Sequence, residues 1–123
     1  MITQISRQEL MDMFAKKERF KLVDVLSKES FEKEHIKGAI SIPVDEIEKK
    51  ASRWLKKTDK IVVYCASFDC QASTHAAEKL LAMGYKNVLD YKGGLKDYKE
   101  ANLPLEGSLH QQEAGVACSY CRC

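Results

Sequence analysis

Several features that would place a chain in a special class are missing from this sequence of 123 residues. Its 20 basic and 18 acidic side chains leave a net charge of only +2, so charge gives no reason to expect nucleic acid or a membrane surface as a partner. No apolar run is long enough for a transmembrane helix, and six glycines are too few for a collagen-like repeat. The N-terminal residues MITQISRQEL lack the basic patch and apolar stretch of a signal peptide, so we expect a cytoplasmic protein.

Cysteine, by contrast, is clustered. Cys65 and Cys70 lie in the middle of the chain, and Cys118, Cys121 and Cys123 lie within the last six residues. A secreted disulfide scaffold spreads its cysteines along the chain to connect distant loops. The clustering therefore indicates thiol or metal chemistry in a reducing compartment.

Short apolar runs alternate with amphipathic segments along most of the chain. Ser6 and Glu9 form a capping box, which predicts a helix from about Ser6 to Lys17. The predicted strands cover residues 20–25, 39–42, 61–64 and 87–91, and further helices are predicted to begin at Asp45, Ser73 and Leu95. Trp54 falls on the expected core face of the helix capped by Asp45. Strands that are apolar on both faces and alternate with helices predict a parallel sheet covered on both sides.

Cys65 directly follows the most strand-like run, residues 61–64, and precedes a loop and a predicted helix. Ligands of open parallel sheets bind beyond the carboxyl ends of the strands. Loop N–H groups and the helix dipole at such a position would lower the pKa of the Cys65 thiol and make it a thiolate nucleophile. The alternative is an inert, buried cysteine at a strand end.

Five short motifs give the chain a family resemblance. In chain order they are LVDV (22–25), HIKGA (35–39), VVYC (62–65), GYKNV (84–88) and YKGGL (91–95). In this order and spacing the chain resembles the single-domain rhodanese family of sulfurtransferases over about residues 2–107. The resemblance implies a rhodanese-like α/β domain over residues 1–107, whose mostly parallel sheet of about five strands has helices on both faces. Residues 108–123 would then form a flexible, cysteine-rich tail.

The resemblance also implies a reaction. Cys65 would accept sulfane sulfur from thiosulfate or from a small-molecule or protein persulfide, hold it as a persulfide, and pass it to a thiol or other nucleophilic acceptor. No metal and no organic cofactor is implied. In this family Asp24 faces the same crevice, which implies a role in orienting the loop; capping of a helix is the alternative. The substrate-binding backbone would belong to Ala66, Ser67, Phe68, Asp69, Cys70, Gln71 and Ala72.

The loop after Cys65 departs from the family pattern. It contains no glycine, arginine or lysine, and it is about two residues longer than usual. Because no arginine occurs between Arg53 and Arg122, the sequence argues against a phosphatase or arsenate reductase, whose oxyanion transfer relies on a guanidinium. For the same reason a neutral or protein-bound persulfide suits this loop better than the thiosulfate dianion.

Cys70 has two interpretations. It could resolve a persulfide on Cys65 by releasing sulfide and closing a Cys65–Cys70 disulfide, or it could be a spare thiol that packs on the helix. An alternative to the enzyme is thus a non-catalytic rhodanese-like module that binds a partner or senses oxidation through these two cysteines. Asp69 is expected to form a turn, His75 to face solvent and His35 to make a structural hydrogen bond.

The tail offers a separate set of soft ligands. Cys118, Cys121 and Cys123, with His110 upstream, are compatible with zinc or Cu(I), with a mobile sulfur relay, or with a disordered tail that carries reactive thiols. One CxxC with an extra cysteine and no second pair is a weak metal signal, so no metal is expected.

Overall fold

The computed structural model describes residues 2–109. The expectations for the tail, including those for His110, Cys118, Cys121 and Cys123, concern residues outside this range. Among the described residues, no helix combines the length and the apolar character that crossing a membrane requires.

Strands and helices alternate along the chain. The strands are β1 (Thr3–Ile5), β2 (Lys21–Asp24), β3 (His35–Ile36), β4 (Ile40–Ser41), β5 (Lys60–Tyr64), β6 (Asn87–Tyr91) and β7 (Leu105–Glu106). The helices are α1 (Arg7–Ala15), α2 (Lys28–Lys33), α3 (Ile47–Trp54), α4 (Ala72–Ala82) and α5 (Gly94–Glu100). The predicted segments match these elements to within a few residues, whereas helix α2 and the short strands β1, β3 and β7 were not predicted.

Five strands form one parallel sheet in the order β1-β6-β5-β2-β4, and β3 pairs with β7 in a separate antiparallel ladder. The central strand β5 sends alternate side chains to opposite faces. Ile61 and Val63 pack with residues of α3 and α4, while Val62 and Tyr64 pack with residues of α1 and α5. The predicted parallel sheet with helices on both faces is confirmed, and β5 lies at its centre.

The start of α1 agrees with the sequence. The Glu9 N–H donates to the Ser6 hydroxyl at 3.1 Å, and the Ser6 N–H donates to the Glu9 carboxylate at 2.9 Å. This is the predicted capping box, and it stabilises the helix by satisfying N–H groups that have no partner inside it.

Two other predicted caps and one predicted core residue are wrong. Asp45 lies inside a 3-10 turn (Val44–Glu46) that precedes α3, and Ser73 is the second residue of α4 rather than its cap. Trp54 is 55% exposed, because α3 ends there and Leu55, in an extended conformation, takes the buried position. Ser73 is instead buried at the helix start, beside the Cys65 thiol described next.

Candidate active site

Cys65 stands at the carboxyl end of the central strand β5. The strand ends at Tyr64, residues 66–71 form a loop, and α4 begins at Ala72. Cys65 itself has no solvent exposure. The topology thus places the thiol at the edge where parallel sheets bind ligands, but beneath the loop that follows it.

A tight turn folds the loop back over Cys65. The Cys70 N–H donates to the Ser67 carbonyl at 3.0 Å, which leaves Phe68 and Asp69 exposed at the tip of the turn. The Cys65 thiol donates to the carbonyl oxygen of Cys70 at 3.5 Å. Asp69 is a turn residue, as expected, and Cys70 lies against Cys65 while remaining partly exposed.

The pKa of Cys65 moves in the direction opposite to the prediction. Burial raises the pKa of this thiol, and its contact with the Cys70 thiol raises it further. The hydroxyl and the backbone N–H of Ser73 act on the same sulfur and lower its pKa, but they do not outweigh burial. The expected lowering of the Cys65 pKa is therefore wrong, because the strand-end sulfur is enclosed by the loop.

Cys70 has the lowered pKa instead. Burial opposes its ionisation, but hydrogen bonds from the Cys65 thiol and from the N–H groups of Ala66 and Ala72, together with the charge of Lys92, lower the pKa of Cys70 below the ordinary thiol value. Loop N–H groups were predicted to surround Cys65. In the structure the N–H groups of Ala66 and Ala72 act instead on the neighbouring Cys70 thiol and lower its pKa.

Lys92 supplies a positive charge that sequence reasoning did not find. Its ammonium group donates to the Cys70 carbonyl at 2.7 Å, so it shares this acceptor with the Cys65 thiol. A carbonyl oxygen accepts such a bond without cancelling the charge of the ammonium group. Lys92 follows β6, far from the loop in sequence, and only the pairing of β5 with β6 brings the two together. The loop itself carries no basic residue, as the sequence shows, and the positive charge of the folded site comes from the segment after β6.

The glycine turn after β6 packs against the backbone of Cys65 and Ala66. The N–H of Leu95 donates to the Cys65 carbonyl at 2.9 Å, and the N–H of Lys96 donates to the Ala66 carbonyl at 2.8 Å. Gly94 makes this approach possible because it has a φ of +64°, and a Cβ there would lie 3.0 Å from the carbonyl carbons of Cys65 and Ala66. The YKGGL motif thus fixes the backbone around Cys65.

The hydrogen bonds of Asp24 join it to Leu26 and Tyr64, and none joins it to the loop after Cys65. Asp24 is fully buried, accepts a hydrogen bond from the Leu26 N–H at 2.9 Å and another from the Tyr64 hydroxyl at 2.9 Å, and burial raises its pKa. The Tyr64 hydroxyl in turn accepts from the Ile36 N–H at 3.0 Å. These contacts hold the residue before Cys65, so any effect of Asp24 on the loop would pass through β5.

The two described histidines lie where expected. The Nδ1 atom of His35 is 2.7 Å from the Phe31 carbonyl oxygen, and its ring stacks on the Phe31 ring with 3.7 Å between centroids. His75 is exposed on α4. Within residues 2–109, no group of three or more His, Cys, Asp or Glu side chains is placed to hold a metal ion.

A cleft of about 530 Å³ adjoins the loop. Phe68 and Lys92 line it on the loop side, and Arg7 and Tyr91 line it on the other side. The Arg7 guanidinium pairs with Asp97 at 3.0 Å, and the second carboxylate oxygen of Asp97 accepts from the Tyr91 hydroxyl at 2.6 Å. Of these two cations, Arg7 is thus bound to a carboxylate, whereas Lys92 contacts a neutral carbonyl.

The chain is thus an open parallel α/β domain with two neighbouring cysteines, Cys65 and Cys70, at the carboxyl edge of its central strand. The model of the rhodanese-like domain family matches residues 6–101. The chain therefore belongs to the rhodanese-like domain family, as its motifs predicted.

Similar proteins from bacteria agree with this membership. The putative sulfur carrier protein YrkF of Bacillus subtilis is 32% identical over 97 residues, which cover 79% of this chain and 51% of that protein. The thiosulfate sulfurtransferase PspE of Escherichia coli is 40% identical over 76 residues, covering 61% of this chain and 70% of PspE. The crystal structure of the BH2092 protein from Bacillus halodurans superposes with a TM-score of 0.81 at 30% identity, covering 87% of this chain and 78% of that one. The chain thus spans about half the length of YrkF.

Proposed function

We propose that the chain is a sulfurtransferase that holds sulfane sulfur as a persulfide on Cys65. The observation that carries this proposal is the position of Cys65, directly after the central strand, under a loop whose N–H groups, second thiol and lysine favour sulfur anions. Its membership of the family and the sulfur chemistry named for YrkF and PspE support the same reaction class.

The net reaction moves one neutral sulfur atom. With thiosulfate as donor, a thiolate of the loop forms a bond to the outer sulfur, the S–S bond of thiosulfate breaks, and sulfite leaves with the electron pair. With a persulfide donor the leaving group is the donor's thiolate. In the second half of the reaction an acceptor thiolate attacks the outer sulfur of the Cys65 persulfide and releases the Cys65 thiolate.

Lys92 widens the range of donors. The sequence alone favoured a neutral or protein-bound persulfide because the loop carries no basic residue. The Lys92 ammonium group beside the Cys70 carbonyl, on the wall of the adjoining cleft, makes an anionic donor such as thiosulfate suitable as well.

Mapping the added sulfur tests the proposal. The full chain is mixed with thiosulfate or with a low-molecular-weight persulfide, alkylated, and cleaved before its aspartates. Because Asp69 lies between the two loop cysteines, this separates residues 59–68, with Cys65, from residues 69–89, with Cys70. We expect the fragment 59–68 to retain one extra sulfur atom, and Cys65→Ser to abolish that retained sulfur. If neither donor adds sulfur to residues 59–68, the proposal is wrong.

A second candidate function is a thiol redox sensor, favoured by the interaction between the Cys65 and Cys70 thiols. Under mild oxidant such a sensor loses two hydrogens as a Cys65–Cys70 disulfide and shows no sulfur transfer. If each protein molecule transfers sulfur repeatedly to a thiol acceptor, this candidate is rejected in favour of the sulfurtransferase.

A further inference from the structure

The two loop thiols differ in access and in environment. Cys65 has no exposed surface, whereas Cys70 is partly exposed beside the cleft-lining Lys92. A donor that arrives from solution therefore reaches Cys70 before Cys65. The N–H groups of Ala66 and Ala72 and the Lys92 charge also act on Cys70, which favours a thiolate at the accessible position.

Resting on the sulfur transfer proposed above, we propose that Cys70 is the first nucleophile, which takes the sulfane sulfur from the donor and passes it to the enclosed Cys65. The second step needs the two cysteines side by side. The turn closed by the Cys70 N–H and the Ser67 carbonyl brings the Cys70 carbonyl to 3.5 Å from the Cys65 sulfur, and the two thiols interact with each other. Cys70 is thus a catalytic residue in its own right, and Cys65 is the site where the sulfur is kept.

The relay balances without any further reactant. The Cys70 thiolate first takes the outer sulfur of the donor, and the donor's remaining group leaves with its electron pair. The Cys65 sulfur then bonds to that outer sulfur, the bond between Cys70 and the outer sulfur breaks, and Cys70 is regenerated as a thiolate. The proton of the Cys65 thiol moves to the transferred sulfur, so no oxidant or reductant is consumed.

Thiol exchange chemistry gives the relay its direction. A thiol of lower pKa is the better leaving group, and the thiol of higher pKa is the stronger nucleophile once ionised. Cys70 is the more exposed cysteine and has the lowered pKa, whereas Cys65 is enclosed and has the raised one, so access and leaving-group strength both favour movement of sulfur from Cys70 to Cys65. Ser73, whose hydroxyl and N–H act on the Cys65 sulfur, is placed to stabilise the persulfide that results.

A rapid-mixing time course tests the relay. The full chain is mixed with thiosulfate or a low-molecular-weight persulfide, quenched by alkylation at short times, and cleaved before Asp69. In the wild type we expect sulfur to appear on residues 69–89 before it accumulates on residues 59–68. In Cys70→Ser the loading of Cys65 should slow by about tenfold or more, since an enclosed thiol must then replace an accessible thiolate. In Cys65→Ser sulfur should stay on Cys70.

The variants separate the relay from the proposed function. If Cys70→Ser loads Cys65 as fast as the wild type, the relay is wrong and Cys65 accepts sulfur directly, while the proposed function stands. If the wild type releases hydrosulfide and loses two hydrogens, Cys65 attacks the inner sulfur and closes a disulfide, which also overturns the relay. If the wild type takes up no sulfur at all, the proposed function itself fails. Glu78→Gln, a change at an exposed position of α4 that keeps both thiols and the loop, is the control and should load Cys65 at the wild-type rate.

Discussion

Replacing Gly94 by alanine should damage the site more than the same change at another glycine with positive φ. Gly94 has a φ of +64° and lies against the backbone of Cys65 and Ala66. Gly38 has a φ of +89°, and a Cβ added there would meet nothing within 4 Å, so Gly38→Ala is a matched control for the backbone conformation alone. The difference between the two variants isolates the close approach of the glycine turn to the strand end.

The magnitude follows from the contacts. A residue with a Cβ in the left-handed region costs about 1–2 kcal/mol, a term that both variants share. At Gly94 the new Cβ also pushes the turn away from the Cys65 carbonyl, which removes the hydrogen bonds from Leu95 and Lys96 at about 0.5–1.5 kcal/mol each. We expect Gly94→Ala to lower the free energy of unfolding by about 3.5 kcal/mol and Gly38→Ala by about 1.5 kcal/mol.

Urea unfolding followed by circular dichroism measures both values on the full chain. Sulfur loading of Cys65 should also slow in Gly94→Ala, because the displaced turn no longer fixes the Cys65 carbonyl, and it should remain at the wild-type rate in Gly38→Ala. Equal losses of stability in the two variants would show that the glycine turn does not hold the backbone of the site.

Further predictions concern the charges around the site. Lys92→Met should raise the pKa of Cys70, so the midpoint of the pH dependence of sulfur loading should move to higher pH. An unchanged midpoint would show that the Lys92 charge does not act on Cys70. The buried Ser73 hydroxyl makes no other hydrogen bond within residues 2–109, so it is free to donate one to sulfur added on Cys65. Ser73→Ala should therefore lower the share of sulfur retained on Cys65 by about 2- to 10-fold, the effect of one hydrogen bond, as measured on the mapped fragments. Burial raises the pKa of Asp24, so the folded state binds its proton more tightly than the unfolded state does. The wild type should accordingly lose stability relative to Asp24→Asn as the pH rises from 3.8 through the raised pKa, and parallel curves in urea titrations at several pH values would contradict this.

The parts of the fold that depend on local patterns could be predicted from the sequence. The capping box of Ser6 and Glu9, the apolar run of β5 and the position of Cys65 directly after it are set by neighbouring residues. The parallel sheet follows from strands that are apolar on both faces and alternate with helices. Strands of two or three residues, such as β7, carry too little pattern to be recognised and form only because a partner strand is available.

The electrostatics of the site depend on contacts between distant segments, which no local pattern contains. Lys92 reaches the loop only because β6 pairs with β5. The pKa of Cys65 rises because the turn closed by Ser67 and Cys70 covers it, and whether the loop N–H groups face one sulfur or the other depends on that turn. The sequence contained one signal of this arrangement, the second cysteine, which lies five residues after Cys65.

A single cycle of sulfur uptake and release by Cys65 would decide whether this thiol carries sulfur in transit. The full chain is loaded with a persulfide donor, freed of excess donor, and then mixed with a small thiol acceptor, with the mass of residues 59–68 measured before and after. We predict that this fragment gains one sulfur atom on loading and returns to its original mass as the acceptor gains the sulfur. A fragment that never gains sulfur, or one that keeps it in the presence of the acceptor, would contradict sulfur transfer through Cys65.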